Sequence, residues 1–267
     1  MLRSLFFTFL FGSAVKEGYG KNLVWDVTPG GVGIVGGHDV DIKQYPHQVS
    51  VLVYINGENH LRCGGSIIGE EYVLTSFACV SGIESEKLKI RAGSNFAMKD
   101  GDVYDVLSVV YHPKLDVNTM DYAVAVIKTK KMSLNGDTAK AAQLPESGSK
   151  LKPGDNVVST GFGLVAVNGE VSKNLQAVSI PVVDLEKCIN FMKQFDLLVT
   201  ERMFCVGFGK SGGSPCDGDV GGPAVSESDS KLYGVHLFGG WCNTTEIPAV
   251  HADITVLRDW IKETTGI

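Results

Sequence analysis

Val49-Ser50-Val51-Leu52-Val53-Tyr54-Ile55, closed by Asn56-Gly57, decides the fold class. It is a short apolar and β-branched run ended by turn residues, which reads as a strand. Working outward, the same pattern recurs. Tyr72-Val73-Leu74-Thr75, Lys87-Leu88-Lys89-Ile90-Arg91-Ala92 and Val106-Leu107-Ser108-Val109-Val110-Tyr111 follow it. So do Tyr122-Ala123-Val124-Ala125-Val126-Ile127, Asn156-Val157-Val158-Ser159-Thr160, Ala177-Val178-Ser179-Ile180 and Leu232-Tyr233-Gly234-Val235-His236-Leu237. Many short strands at this spacing predict an all-β sandwich or barrel. The polar stretch from about 128 to 154 separates two halves that show no sequence repeat. One helix is predicted, over Thr255 to Glu263, where Leu257, Trp260 and Ile261 fall at i, i+3 and i+4.

Composition narrows the function classes. The 267 residues are 44% apolar and 20% charged, which suits a large buried core and excludes a disordered chain, a fibre or a coiled coil. Lys and Arg total 24 against 30 Asp and Glu, a net charge of −6 that argues against nucleic acid as a partner. No interior apolar run approaches the roughly 18 residues of a membrane span. Gly31 to Gly36 and Gly207 to Gly212 both fit G-x-G-x-x-G, but neither opens a helix within a βαβ unit, so no dinucleotide site is expected.

The first residues set an expected compartment. Met1-Leu2-Arg3 precedes the apolar run Leu5 to Phe11 and the small residues Gly12, Ser13 and Ala14, the order of a secretory signal peptide over 1–14. Residues 15–33 are polar and Gly-rich and read as a pro-segment. Cys63, Cys79, Cys188, Cys205, Cys216 and Cys242 form no C-x-x-C pair, so in a secreted, extracellular chain they read as disulfides. Their spacing alone leaves 15 connectivities open. Asn243-Thr244-Thr245 is the one glycosylation sequon. The histidines show no H-x-x-x-H spacing, and neither a metal nor a cofactor is expected.

Six segments in order carry a resemblance. They are Ile34-Val35-Gly36-Gly37, Cys63-Gly64-Gly65-Ser66-Ile67-Ile68, Val73 to Val80, Asp121-Tyr122-Ala123-Val124, Gly161-Phe162-Gly163, and Cys216-Asp217-Gly218-Asp219-Val220-Gly221-Gly222-Pro223. Together they resemble the trypsin/chymotrypsin-like serine proteases over residues 34–267. The resemblance implies two perpendicular six-stranded β-barrels, over about 34–140 and 141–267, with the site between them. It also implies the pairings Cys63–Cys79, Cys188–Cys205 and Cys216–Cys242.

The chemistry of that family needs a hydroxyl nucleophile, an imidazole base and a carboxylate that orients the imidazole. Carried over residue by residue, the base position is Ala78, the carboxylate is Asp121 and the nucleophile position is Val220. Only the carboxylate keeps a functional group. Asp121 is therefore expected to be buried without its partners, in a space that solvent fills. The oxyanion position falls on Gly218. The specificity-pocket positions fall on Ser214, Pro215, Asp217, Leu237, Phe238, Gly239 and Ala249. Ser214 replaces the pocket aspartate of trypsins, and the methyl group of Ala249 is expected to narrow the slot. Ile34 and Asp219 keep the pair that orders the oxyanion loop after activation cleavage, although Gly33 stands where trypsin-activated zymogens have Lys or Arg. His236 and His251 fall near the pocket, where a packing role is expected.

Within the family the chain is most similar to mite group 3 allergen trypsins and to their inactive branch, the scabies mite inactivated protease paralogues. That resemblance implies a secreted, monomeric pseudoenzyme that binds host proteins, complement components among them. A decoy or regulator of an active protease or its inhibitor is the second class, distinguished by binding of serpins or peptide inhibitors. An active endopeptidase is the third, and Ala78 and Val220 count against it.

Overall fold

The computed structural model describes residues 34, 36–163, 172, 174–207, 213–216, 218–240 and 247–267. The expected leader and pro-segment, Asp217, Cys242 and Asn243 lie outside the described residues.

The first half is a closed barrel. It is built from β2 (Gln48–Ile55), β3 (Glu58–Gly69), β4 (Tyr72–Ser76), β5 (Leu88–Ala92), β6 (Asp102–Tyr111) and β7 (Val124–Thr129), hydrogen-bonded in the order β2-β3-β4-β7-β6-β5. Asn56 and Gly57 link β2 to β3 with φ of 52° and 93°. These left-handed values suit a two-residue hairpin turn and explain the Asn-Gly pair. Val49 and Val51 of β2 and Ile90 of β5 point into the core of this barrel with Ile67, Val73 and Ile127.

The second half is a sheet in the order β1-β9-β8-β11-β12-β13-β10. Its strands are β1 (His38–Asp39), β8 (Asn156–Gly161), β9 (Gln176–Pro181), β10 (Met203–Val206), β11 (Pro223–Ser226), β12 (Leu232–Gly239) and β13 (Ala249–Asp253). The sheet curls until β10 meets the end of β9. An isolated bridge joins Val182 to Val206, and the Val183 and Gly207 amides donate to the Cys205 and Pro181 carbonyls at 2.8 and 2.9 Å. Six strands thus close a second barrel by one bridge, and β1 is a seventh strand on β9. The N-terminal stretch after Ile34 thereby reaches the second sheet.

Two helices pack on this frame. α1 (Leu185–Met192) was not apparent in the sequence reading. Asp184 caps it by accepting the Lys187 amide at 3.0 Å, and it buries Cys188 and Met192. α2 (Ile254–Thr265) is the expected terminal helix, three residues longer in total. Asp253 accepts the Thr255 amide at 2.8 Å, and Gly266 ends the helix in the left-handed region. Its inward face is Ile254, Leu257 and Ile261, while Trp260 is half-buried and meets the His112 ring edge-on. These residues join Leu74, Val124 and Val126 of the first barrel and Leu232, Val235 and Val250 of the second in one core, so the two halves share buried surface.

Candidate functional site

Position 78 lies in a one-turn 3-10 helix, Phe77–Cys79, directly after β4. The Cys63–Cys79 disulfide ties this turn to β3. Ser76 caps it by accepting the Ala78 amide at 3.3 Å, and Arg62 donates to the carbonyls of Cys79 and Ala78 at 2.6 and 3.1 Å. What the turn presents at 78 is a methyl group.

Position 220 meets that turn from the second barrel. The Val220 carbonyl accepts the Gly64 amide at 2.9 Å, and the Gly221 amide donates to the His236 carbonyl at 2.8 Å. Gly218 before it is left-handed, φ 84°. Gly221 is left-handed too, φ 81°, and a Cβ there would overlap Thr75 Oγ1 and come within 2.6 Å of the Gly64 carbonyl oxygen. Only glycine fits that seam. The Val220 side chain is an isopropyl group packed against the first barrel's core. The Thr75 hydroxyl nearby already donates to the Gly64 carbonyl at 2.8 Å.

Asp121 departs from expectation. It is not an unpaired carboxylate. Arg202 donates from Nε to Oδ1 and Oδ2 at 3.0 and 2.8 Å and from Nη2 to Oδ2 at 2.6 Å. Thr200 Oγ1 and the Tyr122 amide donate to Oδ1 at 3.0 and 3.1 Å. The pair is largely buried, with side-chain exposures of 14% for Asp121 and 26% for Arg202. Asp121 raises the guanidinium pKa through its hydrogen bonds. A buried carboxylate needs compensation, and the chain supplies a cation from another element. Nothing in the sequence pairs residues 81 positions apart, so Arg202 and Thr200 were missed.

The former pocket positions are packed. Ser214 is buried, with its hydroxyl turned onto the Pro215 carbonyl at 2.9 Å. Leu237 and Ala249 are buried and Phe238 is half-buried. Gly239 pairs with Ala249 across β12 and β13. Gly240 is left-handed, φ 61°. A Cβ there would overlap both the Pro215 carbonyl oxygen and Ser214 Oγ and lie 3.1 Å from Ala249 Cβ. Only glycine fits at position 240, close against Ser214, Pro215 and Ala249.

Behind them His236 and His251 are buried side by side, ring centroids 5.0 Å apart, with Phe204 stacked on His251 at 5.2 Å. None of their ring nitrogens makes a well-formed hydrogen bond. Burial lowers the His236 pKa to about 4, and burial together with the charge of His236 puts His251 well below the ordinary value. Both are neutral packing groups at neutral pH.

Ile34 is 1% exposed in a core of the second barrel with Val157, Val178 and Ile180. Asp219 is also buried, and accepts the Gly163 and Cys216 amides at 3.3 and 3.2 Å. The disulfides Cys63–Cys79 and Cys188–Cys205 form as the family resemblance implies. Cys216 is disulfide-bonded as well. Among the described residues no cluster of three His, Cys, Asp or Glu side chains is placed to hold a metal.

A closed six-stranded barrel and a second, bridge-closed one, with positions 78 and 220 meeting at their junction, define a trypsin-like two-barrel protein. The trypsin family model matches residues 34–261, and the chain belongs to that family. It is 34% identical over 234 residues to a vitellin-degrading protease of Bombyx mori, covering 88% of this chain and 86% of that one. It is 31% identical over 267 residues to trypsin 5G1 of Aedes aegypti, covering 100% and 98%. Among solved structures it is similar to the scabies mite inactivated protease paralogue S-D1. The TM-score is 0.78 at 27% identity, covering 87% of this chain and 97% of that one.

Proposed function

We propose that this chain is a secreted trypsin-family protein that does not hydrolyse peptide bonds and acts by binding other proteins. The observation that carries the reading is the pair Ala78 and Val220, which leaves neither base nor nucleophile at the barrel junction. Loss of either group from a serine protease triad costs about 10⁶-fold in kcat, and loss of both costs little more. The carboxylate held by Arg202 supports the same reading. The named sequence relatives are proteases, and this chain differs from what protease chemistry requires at those two positions.

The fold keeps a rigid body that displays long loops, which is a natural basis for protein recognition. Without residues 1–33, which carry three basic and two acidic groups, the net charge is about −7, a mild bias toward basic partner surfaces. The target proposed from the family resemblance is a host defence cascade, complement first; the structural likeness to a paralogue described as inactivated supports the non-catalytic part of the reading. The test pairs a broad peptide-cleavage panel with a complement lysis assay on one purified preparation. Lost lysis without cleavage is the expected result. Cleavage of any peptide at trypsin-like rates refutes the inactive reading. Undiminished lysis at saturating protein removes complement as the target and moves the decoy reading, tested by serpin binding, to the front.

A further inference from the structure

We infer that Arg202 is a positioning residue that withholds Asp121 from position 78, so that an imidazole restored there finds no orienting carboxylate. The proximity of the two positions is set by the backbone. The Phe77 amide donates to the Ala123 carbonyl at 2.9 Å, and Ser76 Oγ reaches the same oxygen at 3.4 Å. Residue 78 is thus one position from a direct link to the segment that carries Asp121. The carboxylate itself is committed elsewhere. An ionised carboxylate offers about four acceptor sites. Four donors occupy Asp121: Arg202 Nε–H, shared between both oxygens, Arg202 Nη2, the Thr200 hydroxyl and the Tyr122 amide. No acceptor site is left for an imidazole N–H.

Met120 and Tyr122, on either side of Asp121, are both left-handed, φ 57° and 52°. The Tyr122 ring stacks on His112 at 4.3 Å with an interplanar angle of 11°, and the Arg202 guanidinium sits 5.4 Å from the Tyr122 ring centre. A planar guanidinium that grips both carboxylate oxygens makes a directional, charge-assisted contact rather than a loose surface pair. Asp121 precedes β7 of the first barrel and Arg202 precedes β10 of the second, so the contact also spans the junction.

The test reads the pKa of an introduced histidine by NMR. In Ala78→His the imidazole is expected to titrate at or below the usual value of about 6.5, with Arg62 beside it as a constant background. Adding Arg202→Gln frees the carboxylate and is expected to raise proton affinity about tenfold. Adding Asp121→Asn to that pair is expected to reverse the rise. A raised pKa in Ala78→His alone overturns the inference, as does a rise that persists with Asp121→Asn. No rise on Arg202→Gln also overturns it. Should position 78 not tolerate histidine, the otherwise unaltered chain serves. Its Arg202 Nε–H signal is expected to exchange slowly with water, and Asp121→Asn to abolish that protection. Fast exchange in the unaltered chain overturns the inference. The inference assumes the inactive reading only in taking position 78 as vacant of imidazole. Hydrolysis by the unaltered chain would end that reading and leave these titrations interpretable.

Discussion

Acid should unfold this protein through its buried histidines. His47 and His236 are buried and burial lowers each pKa to about 4, while burial and the neighbouring His236 put His251 well below its ordinary value. In the unfolded chain each titrates near 6.5. The unfolded state therefore binds more protons between these values, and stability must fall as pH falls. The contribution is complete above about pH 6.5 and is lost as pH drops toward 4. At pH 4.5 each group with a folded-state pKa of about 4 has given up about 2.5 kcal/mol. His47 and His236 together account for about 5 kcal/mol, and His251 adds to it, against a typical total stability of 5–15 kcal/mol. Burial raises the Asp253 pKa and opposes the trend. The lowered carboxyls of Asp39 and Asp105 act only near and below their ordinary 3.8. The assay is urea unfolding at pH 7.5 and 4.5 for the parent, His236→Leu and His251→Leu. His236→Leu is expected to lose about 2 kcal/mol less between the two pH values, and His251→Leu to lose less than the parent, whatever the absolute stability of each. Because the two rings interact, the double variant need not be additive. A parent that loses under about 1 kcal/mol, or variants with the parent's slope, would refute the reasoning.

Other outcomes follow from the same geometry. Ala78→His with Val220→Ser should stay at least about 10⁴-fold below trypsin-like kcat in a peptide assay, the loss seen when the triad carboxylate cannot orient its histidine. Gly221→Ala should lower the thermal midpoint by several degrees. Its methyl group meets Thr75 and Gly64 in a left-handed backbone, a strain of about 1–3 kcal/mol. Removing Cys188 and Cys205 together, as alanines, should cost about 3 kcal/mol in urea unfolding, because that bridge closes a loop of 17 residues.

Much of this was legible in the sequence because strands announce themselves locally. The run Val49 to Ile55 with its Asn-Gly turn maps onto β2 and the hairpin almost residue for residue. β3 escaped notice since Glu58 to Gly69 mixes charged, polar and glycine residues, and its pairing is dictated by neighbours on both sides. β10, β11 and β13 are four or five residues each, too short to show a period. α1 has only eight residues, although its Asp184 cap was a readable signal. At the site, positions 78, 121 and 220 were legible through the family resemblance, whose motifs carry over onto them one by one. The ionic partner of Asp121 was not, because it depends on how two barrels face each other rather than on any local pattern.

Around position 220 the seam between the barrels rests largely on main-chain groups. The Gly64 amide on the Val220 carbonyl, the Thr75 hydroxyl on the Gly64 carbonyl and the glycine at 221 hold the junction without using the side chains of residues 78 or 220. Chemistry and architecture are thus written on different atoms. The isopropyl group of Val220 adds apolar contact to the first barrel's core where a hydroxyl would seek a partner. On the proposed reading, valine at this position removes the nucleophile and leaves the scaffold intact. The same protein surface is then free to be selected for adhesion alone.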